Sequence, residues 1–353
     1  MISFSRLQWL PFFLTFFTGV NTISAQDKSF SQYFNSPLQL NPALSGVING
    51  TYRVNFNYRD QWNKLEGGNY STVNASGDLN FKMPLRGFQN DRIGIGLSFM
   101  SDKANDFGMQ TNDLAFVGAY HKSVGKAQFL SLGFKFGVYQ RTINYENLRF
   151  EDQYVEGSGY SAGTSEVLPE NNISFGDLSV GLNYNWSPID DKSFNIGASL
   201  QHITSPDFSF FNLSLPPNTV LIKQPLYGLF SMHASGSFAL NNLAILTPRI
   251  WTLAQGPHFQ GNLGASYKLA INNDRSNKLI LGSYLRSVKD ERGLALESFI
   301  PLLGVELSSL NISFNYDANL RRIAPGYFQQ SIFEIGITFT GNANNENNIC
   351  PRF

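Results

Sequence analysis

The chain has 353 residues with 26 basic and 26 acidic side chains, so its zero formal net charge gives no electrostatic reason to expect nucleic acid or an anionic surface as partner. It is 14% aromatic, with 31 Phe and 31 Gly, yet no run after residue 25 is long and apolar enough for a membrane helix. A lone cysteine, Cys350, excludes an internal disulfide framework and reads as a free thiol on a tail.

In chain order, residues 1–25 come first, with one basic residue (Arg6), an uncharged run from Leu7 to Val20, and then "TISAQ". The run is short for a membrane span and is broken by Pro11, Thr15 and Gly19. It reads as a secretory signal peptide cleaved after Ala25. Residues 26–47 follow and contain "FSQYFNSPLQLNPALSG" (30–46). Pro37 and Pro42 remove two backbone donors and fix φ, so no regular strand or helix runs through the stretch. Its large groups Phe30, Tyr33, Phe34, Leu38, Leu40 and Leu44 nevertheless demand burial. Asn35 and Asn41 can hydrogen-bond the local backbone and hold the turns that burial requires.

From 48 to 340 one signal repeats. Leu130, Leu132, Phe134, Phe136 and Val138 alternate with Ser131, Gly133, Lys135 and Gly137, and Phe333, Ile335, Ile337 and Phe339 alternate with Glu334, Gly336 and Thr338. A period of two with one apolar face is the mark of a two-faced strand. Strands are expected around 50–59, 70–82, 91–101, 111–121, 127–141, 174–187, 192–204, 226–240, 243–253, 259–271, 277–287, 293–305, 308–318 and 329–340.

A β-sandwich would also alternate, but three features favour a membrane barrel. The strand count is about 14 and even. The connections alternate in length: "KSVGK", "SPIDDK" and "NNDRSN" are short, whereas 142–173, 205–225 and 319–328 are long. Aromatics sit near strand ends, at Tyr58 and Trp62, Tyr184 and Trp186, Trp251 and Tyr316, as interfacial girdles do. Sheet edges are not tolerated in lipid, so the sheet must close. The expected fold is an all-β transmembrane antiparallel barrel of about 14 strands, spanning 48–340. Residues 26–47 form a plug in its lumen, and a tail (341–353) and both termini lie on the periplasmic side of the outer membrane. The inner face, mostly Gly, Ser and Asn, is expected to carry sparse charge.

"FSQYFNSPLQLNPALSG", "YRVNFNYRDQW" (52–62), "LTPRIW" (246–251), "SFNYDANL" (313–320) and the terminal "ICPRF" together resemble the PorP/SprF family of outer-membrane proteins of the type IX secretion and gliding systems of Bacteroidota. "LNPALSG" is also similar to the turn in the N-terminal hatch of FadL-like fatty-acid transporters. The entry to the last strand, "FQQSIFEIGI", departs from the family's usual Gly-rich, His-containing form. The resemblance implies a non-enzymatic role in export or surface attachment of adhesins with a particular C-terminal secretion domain. It also implies association with the periplasmic lipoprotein ring and with outer-membrane lipid. The hatch residues it points to are Phe30, Gln32, Tyr33, Phe34, Asn35, Pro37, Leu40, Asn41 and Pro42.

No reaction centre is legible. His121, His202, His233 and His258 are scattered without metal-ligand spacing, and neither a nucleophile elbow nor a phosphate loop is present, so no catalysis and no cofactor are expected. Loop 142–173 carries Glu146, Glu151, Asp152, Glu156, Glu166 and Glu170 against Arg149, and reads as a solvated outer loop or as an acidic face for a surface protein or calcium. Loop 205–225 gathers Phe208, Phe210, Phe211, Leu213 and Leu215, which either fold over the barrel mouth or form a partner-binding patch. Three functions compete: a secretion component, a FadL-like channel for hydrophobic small molecules, and a general porin. The last of these would need a charged constriction.

Overall fold

The computed structural model describes residues 27–61, 69–83, 90–104, 108–166, 168–189, 192–210, 225–272, 276–290, 292–321 and 332–342. The signal-peptide reading of 1–25, Trp62, Cys350 and the tail beyond Asn342 lie outside them. Sixteen strands are β1 (Tyr52–Gln61), β2 (Tyr70–Lys82), β3 (Arg92–Ala104), β4 (Met109–Gly125), β5 (Gln128–Ile143), β6 (Tyr154–Val155), β7 (Gly159–Tyr160), β8 (Asn172–Ile189), β9 (Lys192–Gln201), β10 (Leu229–Ala239), β11 (Ala244–Gln255), β12 (His258–Ala270), β13 (Asn277–Asp290), β14 (Gly293–Leu307), β15 (Leu310–Asn319) and β16 (Ile332–Gly341). All but the β6–β7 hairpin, which sits in the acidic loop, form one closed antiparallel barrel of 14 strands.

Closure comes from β1, which pairs with β2 on one side and with β16 on the other, from Tyr52↔Gly341 to Gln61↔Ile332. No edge is left, as a sheet in hydrocarbon requires. Side chains alternate as expected. Along β5, Leu130, Leu132, Phe134, Phe136 and Val138 are exposed on the outside, while Ser131, Gly133, Lys135, Gly137 and Tyr139 face inward. The wall is uneven in height: β4, β5 and β8 have 17, 16 and 18 residues, whereas β1, β9, β15 and β16 have 10 each. About 9–11 residues suffice for a tilted strand to cross the hydrocarbon, so the short strands just span it and the tall ones project beyond.

The long connections 144–171 and 202–228 leave one mouth, here the outer mouth, and the short turns 126–127, 240–243 and 308–309 close the inner mouth. Residues 27–49 lie inside the barrel, running from the outer mouth, where the Asp27 backbone N–H donates to Gln255 at 2.7 Å, to the inner mouth, where Thr51 N–H meets the Gly341 carbonyl at 2.8 Å. The described chain thus begins at the mouth opposite to Gly341, because it crosses the lumen before β1 starts; the amino end that was expected on the periplasmic side lies outside the described residues.

Two expectations change. Trp251 is not in a girdle but buried in the lumen, whereas Trp186 and Tyr316 do face outward. The inner wall is not poor in charge. Arg53, Arg59, Asp78, Arg92, Asp113, Lys135, Asp177, Arg286, Asp317 and Glu334 are all buried on it.

Candidate functional site

The site is the luminal segment together with the wall that receives it. Three single helical turns shape the segment: a 3₁₀ turn at Tyr33–Asn35, α1 at Pro37–Leu40, and a second 3₁₀ turn at Pro42–Leu44. Pro37 and Pro42 each open a turn, the position where a missing N–H costs nothing. Asn41 caps the last turn, its Oδ1 accepting from the Ala43 N–H at 2.9 Å. Its Nδ2 donates to the wall carbonyls of Leu182 at 3.0 Å and Ala198 at 3.2 Å, so one side chain fixes the turn and anchors it.

Inward glycines form the seats. A Cβ at Gly94 would overlap the Ser45 carbonyl, one at Gly133 the Pro42–Ala43 backbone, one at Gly181 the Asn41 carboxamide, and one at Gly336 that of Asn35. At Gly46 the backbone itself needs glycine: φ is +77°, and a Cβ would come within 2.7 Å of Gly94 Cα.

Charged groups hold the segment at three levels. Near the outer mouth Asp27 is bonded to His202, whose Nδ1 lies 3.1 Å from Asp177, and Lys28 pairs with Asp102 at 3.1 Å. Burial disfavours the charged imidazole of His202, but the two carboxylates outweigh it and push its pKa up to about 10. Burial likewise raises the Asp27 carboxyl, but His202 more than offsets this and holds it below the usual range. Lower down, the Glu334 carboxylate accepts the backbone N–H groups of Ser31 and Gln32 at 2.7 and 2.9 Å. Ser31 Oγ donates to Asp317 at 2.7 Å, and Arg286 pairs with Asp317 at 2.6 Å. Lys135 donates to Gln39 at 2.7 Å and to Asp113 at 2.9 Å. Near the inner mouth Arg53 grips Asp78 through Nε and Nη2 at 3.0 and 2.8 Å and also donates to the carbonyls of Leu44 and Val47, while Gly46 N–H donates to Asp78 at 2.7 Å.

Apolar packing completes the fit. Tyr33 stacks on Trp251 with centroids 5.0 Å apart, inside a cluster with Leu40, Leu44, Val47 and Leu253. Phe34 packs against Tyr284 and carries the Arg249 guanidinium over its ring at 4.3 Å.

All nine hatch residues singled out in the sequence lie in this segment, with Phe30, Gln32, Tyr33, Asn35, Pro37, Leu40, Asn41 and Pro42 buried and Phe34 partly so. In loop 205–225, Phe208 and Phe210 each lie 5.1 Å beneath the Arg141 guanidinium at the outer mouth; Phe211, Leu213 and Leu215 lie outside the described residues. The wall partners Glu334, Asp317, Asp78, Arg53, Asp113, Lys135 and Gly181 were not assigned a role. Their one sequence signal is a charge or glycine at an inward strand position.

Among the described residues the segment separates an outer and an inner cavity that share no lining residue. The outer one, about 490 Å³, has Asp27, Lys28 and Ser29 in its lining together with Met100, Met109, Tyr139, Phe175 and Phe208. The inner one, about 480 Å³, is lined mainly by Ser, Thr, Asn and basic residues. Among the described residues no cluster of His, Cys, Asp or Glu could hold a metal ion.

Residues 22–339 match a family described as the type IX secretion system membrane protein PorP/SprF. No curated protein matches the chain. Solved barrels similar to it include the toluene transporter TodX of Pseudomonas putida, at 11% identity and TM-score 0.46, covering 86% of this chain and 92% of that one. A FadL homologue from Pseudomonas aeruginosa is similar at 11% identity and TM-score 0.45, covering 85% and 92%. BamA from Haemophilus ducreyi, lacking POTRA domains 1–3, is similar at 12% identity and TM-score 0.42, covering 82% and 71%.

Proposed function

Since the chain belongs to the PorP/SprF family of type IX secretion system membrane proteins, we propose that it is a non-enzymatic outer-membrane component of that machinery. In this reading its outer mouth receives the C-terminal domain of a secreted cargo or adhesin, and the barrel supports export or surface attachment of that protein. Its inner, periplasmic mouth faces the lipoprotein ring of the machine.

The observation that carries this reading is the filled lumen. Residues 27–49 are bonded to the wall from mouth to mouth through buried ion pairs and glycine seats, a construction suited to an anchor rather than a conduit. The hatch residues Tyr33, Asn35 and Asn41 act as the plug's fastenings. Affinity purification of the tagged barrel from native membranes should recover cargo C-terminal domains and other secretion proteins. Recovery of lipid alone would sink the proposal.

One observation favours a second reading, a channel for hydrophobic small molecules: the outer cavity is walled by Met100, Met109, Tyr139, Phe175 and Phe208. Saturable uptake of an apolar dye into liposomes carrying the intact chain, with selectivity lost on deletion of 30–46, would support it. Liposomes impermeable to the dye with the intact chain would remove it.

A further inference from the structure

We propose that the inner cavity is a binding site for an acidic peptide segment of a periplasmic protein. Its lining carries more positive charge than it neutralises. Arg53 is answered by Asp78, and Lys268 and Lys278 share the single Glu306 carboxylate at 2.7 and 2.5 Å, leaving one positive charge over. Arg249 has only neutral partners among the described residues, donating to Ser266 Oγ at 2.8 Å and Tyr284 Oη at 2.9 Å with its face on Phe34. Lys192 stands exposed at the rim.

Lys192, Arg249, Lys268 and Lys278 sit on four strands, β9, β11, β12 and β13, around a cavity of about 480 Å³. A single small anion cannot meet cations spread in this way; a chain bearing several carboxylates can. The rest of the lining fits a peptide as well. Ser235, Thr247, Asn311 and Thr338 offer hydroxyls and carboxamides that can donate to or accept from a peptide backbone, and Ile245 and Leu302 give apolar footing to a side chain between two acids. The cavity is enclosed by the wall and opens at the mouth of short turns, so its occupant comes from the aqueous side and not from lipid. This inference rests on the functional reading above only in calling that side the periplasm.

The test is fluorescence anisotropy of the full chain in detergent with a labelled Glu-Leu-Glu-Leu-Glu-Leu-Glu peptide and its glutamine analogue. The acidic peptide should bind saturably and more weakly as salt rises, and the analogue about tenfold or more weakly. Arg249→Gln combined with Lys278→Gln should weaken the acidic peptide by a similar factor, while Lys28→Gln at the opposite mouth leaves it unchanged. Lys192→Gln, exposed at the rim and without a packing role, should give a smaller loss and keeps the test informative if the double variant fails to fold. Equal affinity for both peptides, no saturation, or unchanged binding in the folded variants would overturn the proposal. So would displacement by equimolar inorganic phosphate, which would mark an adventitious ion site only. Failure to recover secretion proteins from membranes would overturn the functional reading and leave this titration standing.

Discussion

The two halves of the lumen have nearly equal volume, about 490 and 480 Å³, and opposite chemistry. Above the segment, methionine and aromatic side chains share the lining with charges of both signs, among them Lys28 with Asp102, which is partly open to water. Below it, hydroxyls and cations line the cavity, and the nearest ion pair, Arg53 with Asp78, is fully enclosed. The contrast teaches that the segment is held unequally. The inner end is locked by a desolvated pair whose loss strands a charge, whereas at the outer end the buried His202 and Asp177 stand beside a pair, Lys28 with Asp102, that water partly reaches.

The largest effect should come from abolishing the division itself. Deleting 30–46 removes the segment from Phe30 to Gly46 and merges the cavities. Planar-bilayer recordings should show ion-conducting steps that the intact chain lacks; a silent deletion variant would mean that something else closes the lumen. Next, Asp78→Ala leaves the buried Arg53 guanidinium without its carboxylate, which should cost about 3–5 kcal/mol. Lys28→Ala at the partly exposed outer pair should cost less, about 1 kcal/mol. Urea unfolding of the two variants in lipid compares them directly, and equal losses would erase the asymmetry. Gly133→Val drives a side chain into the Pro42–Ala43 backbone and should destabilise by about 1–3 kcal/mol. Gly118→Ala, whose new methyl would meet only the Phe116 ring at 3.8 Å, should be near neutral in the same assay.

The smallest effect is a pH dependence at the outer end. The raised pKa of His202 means that its bond to Asp27 contributes fully below about pH 6.5 and fades as pH climbs toward about 10. The lowered pKa of Asp27 means that the contribution is whole above about pH 4 and is lost as pH falls through the depressed value. Amide hydrogen exchange over 27–31 should therefore be slowest between about pH 4 and 6.5 after correction for intrinsic rates. In His202→Gln that dependence should vanish while protection at Ala43–Gly46 persists.

The barrel was legible because a period of two survives in a single strand: β5 and β16 display both faces without help from any neighbour. The segment was legible as something buried, since prolines and aromatics together exclude both a strand and exposure. Its fastenings were not. Arg53 and Asp78 stand on neighbouring strands, but Ser31 and Glu334 come from opposite ends of the chain, and no local window joins them. Trp251 was misplaced because β11 carries apolar residues on both faces, with Ile250 outside and Trp251 and Leu253 inside. Only the presence of Tyr33 shows which face the indole takes. The direction in which the segment crosses the lumen was hidden for a related reason: strand alternation fixes the path of the wall but not that of a luminal segment.

The bonds from Ser31 and Gln32 to Glu334, Asp317 and Asn315 span sequence separations of 303, 302, 286 and 283 residues. Contacts so distant along the chain carry the heaviest loop-closure entropy. The polypeptide thus encloses a segment from near one end of its sequence with strands from near the other, and the seam between β1 and β16 closes around it. Topologically the segment is a mandrel: the last two strands have their buried polar partners on it.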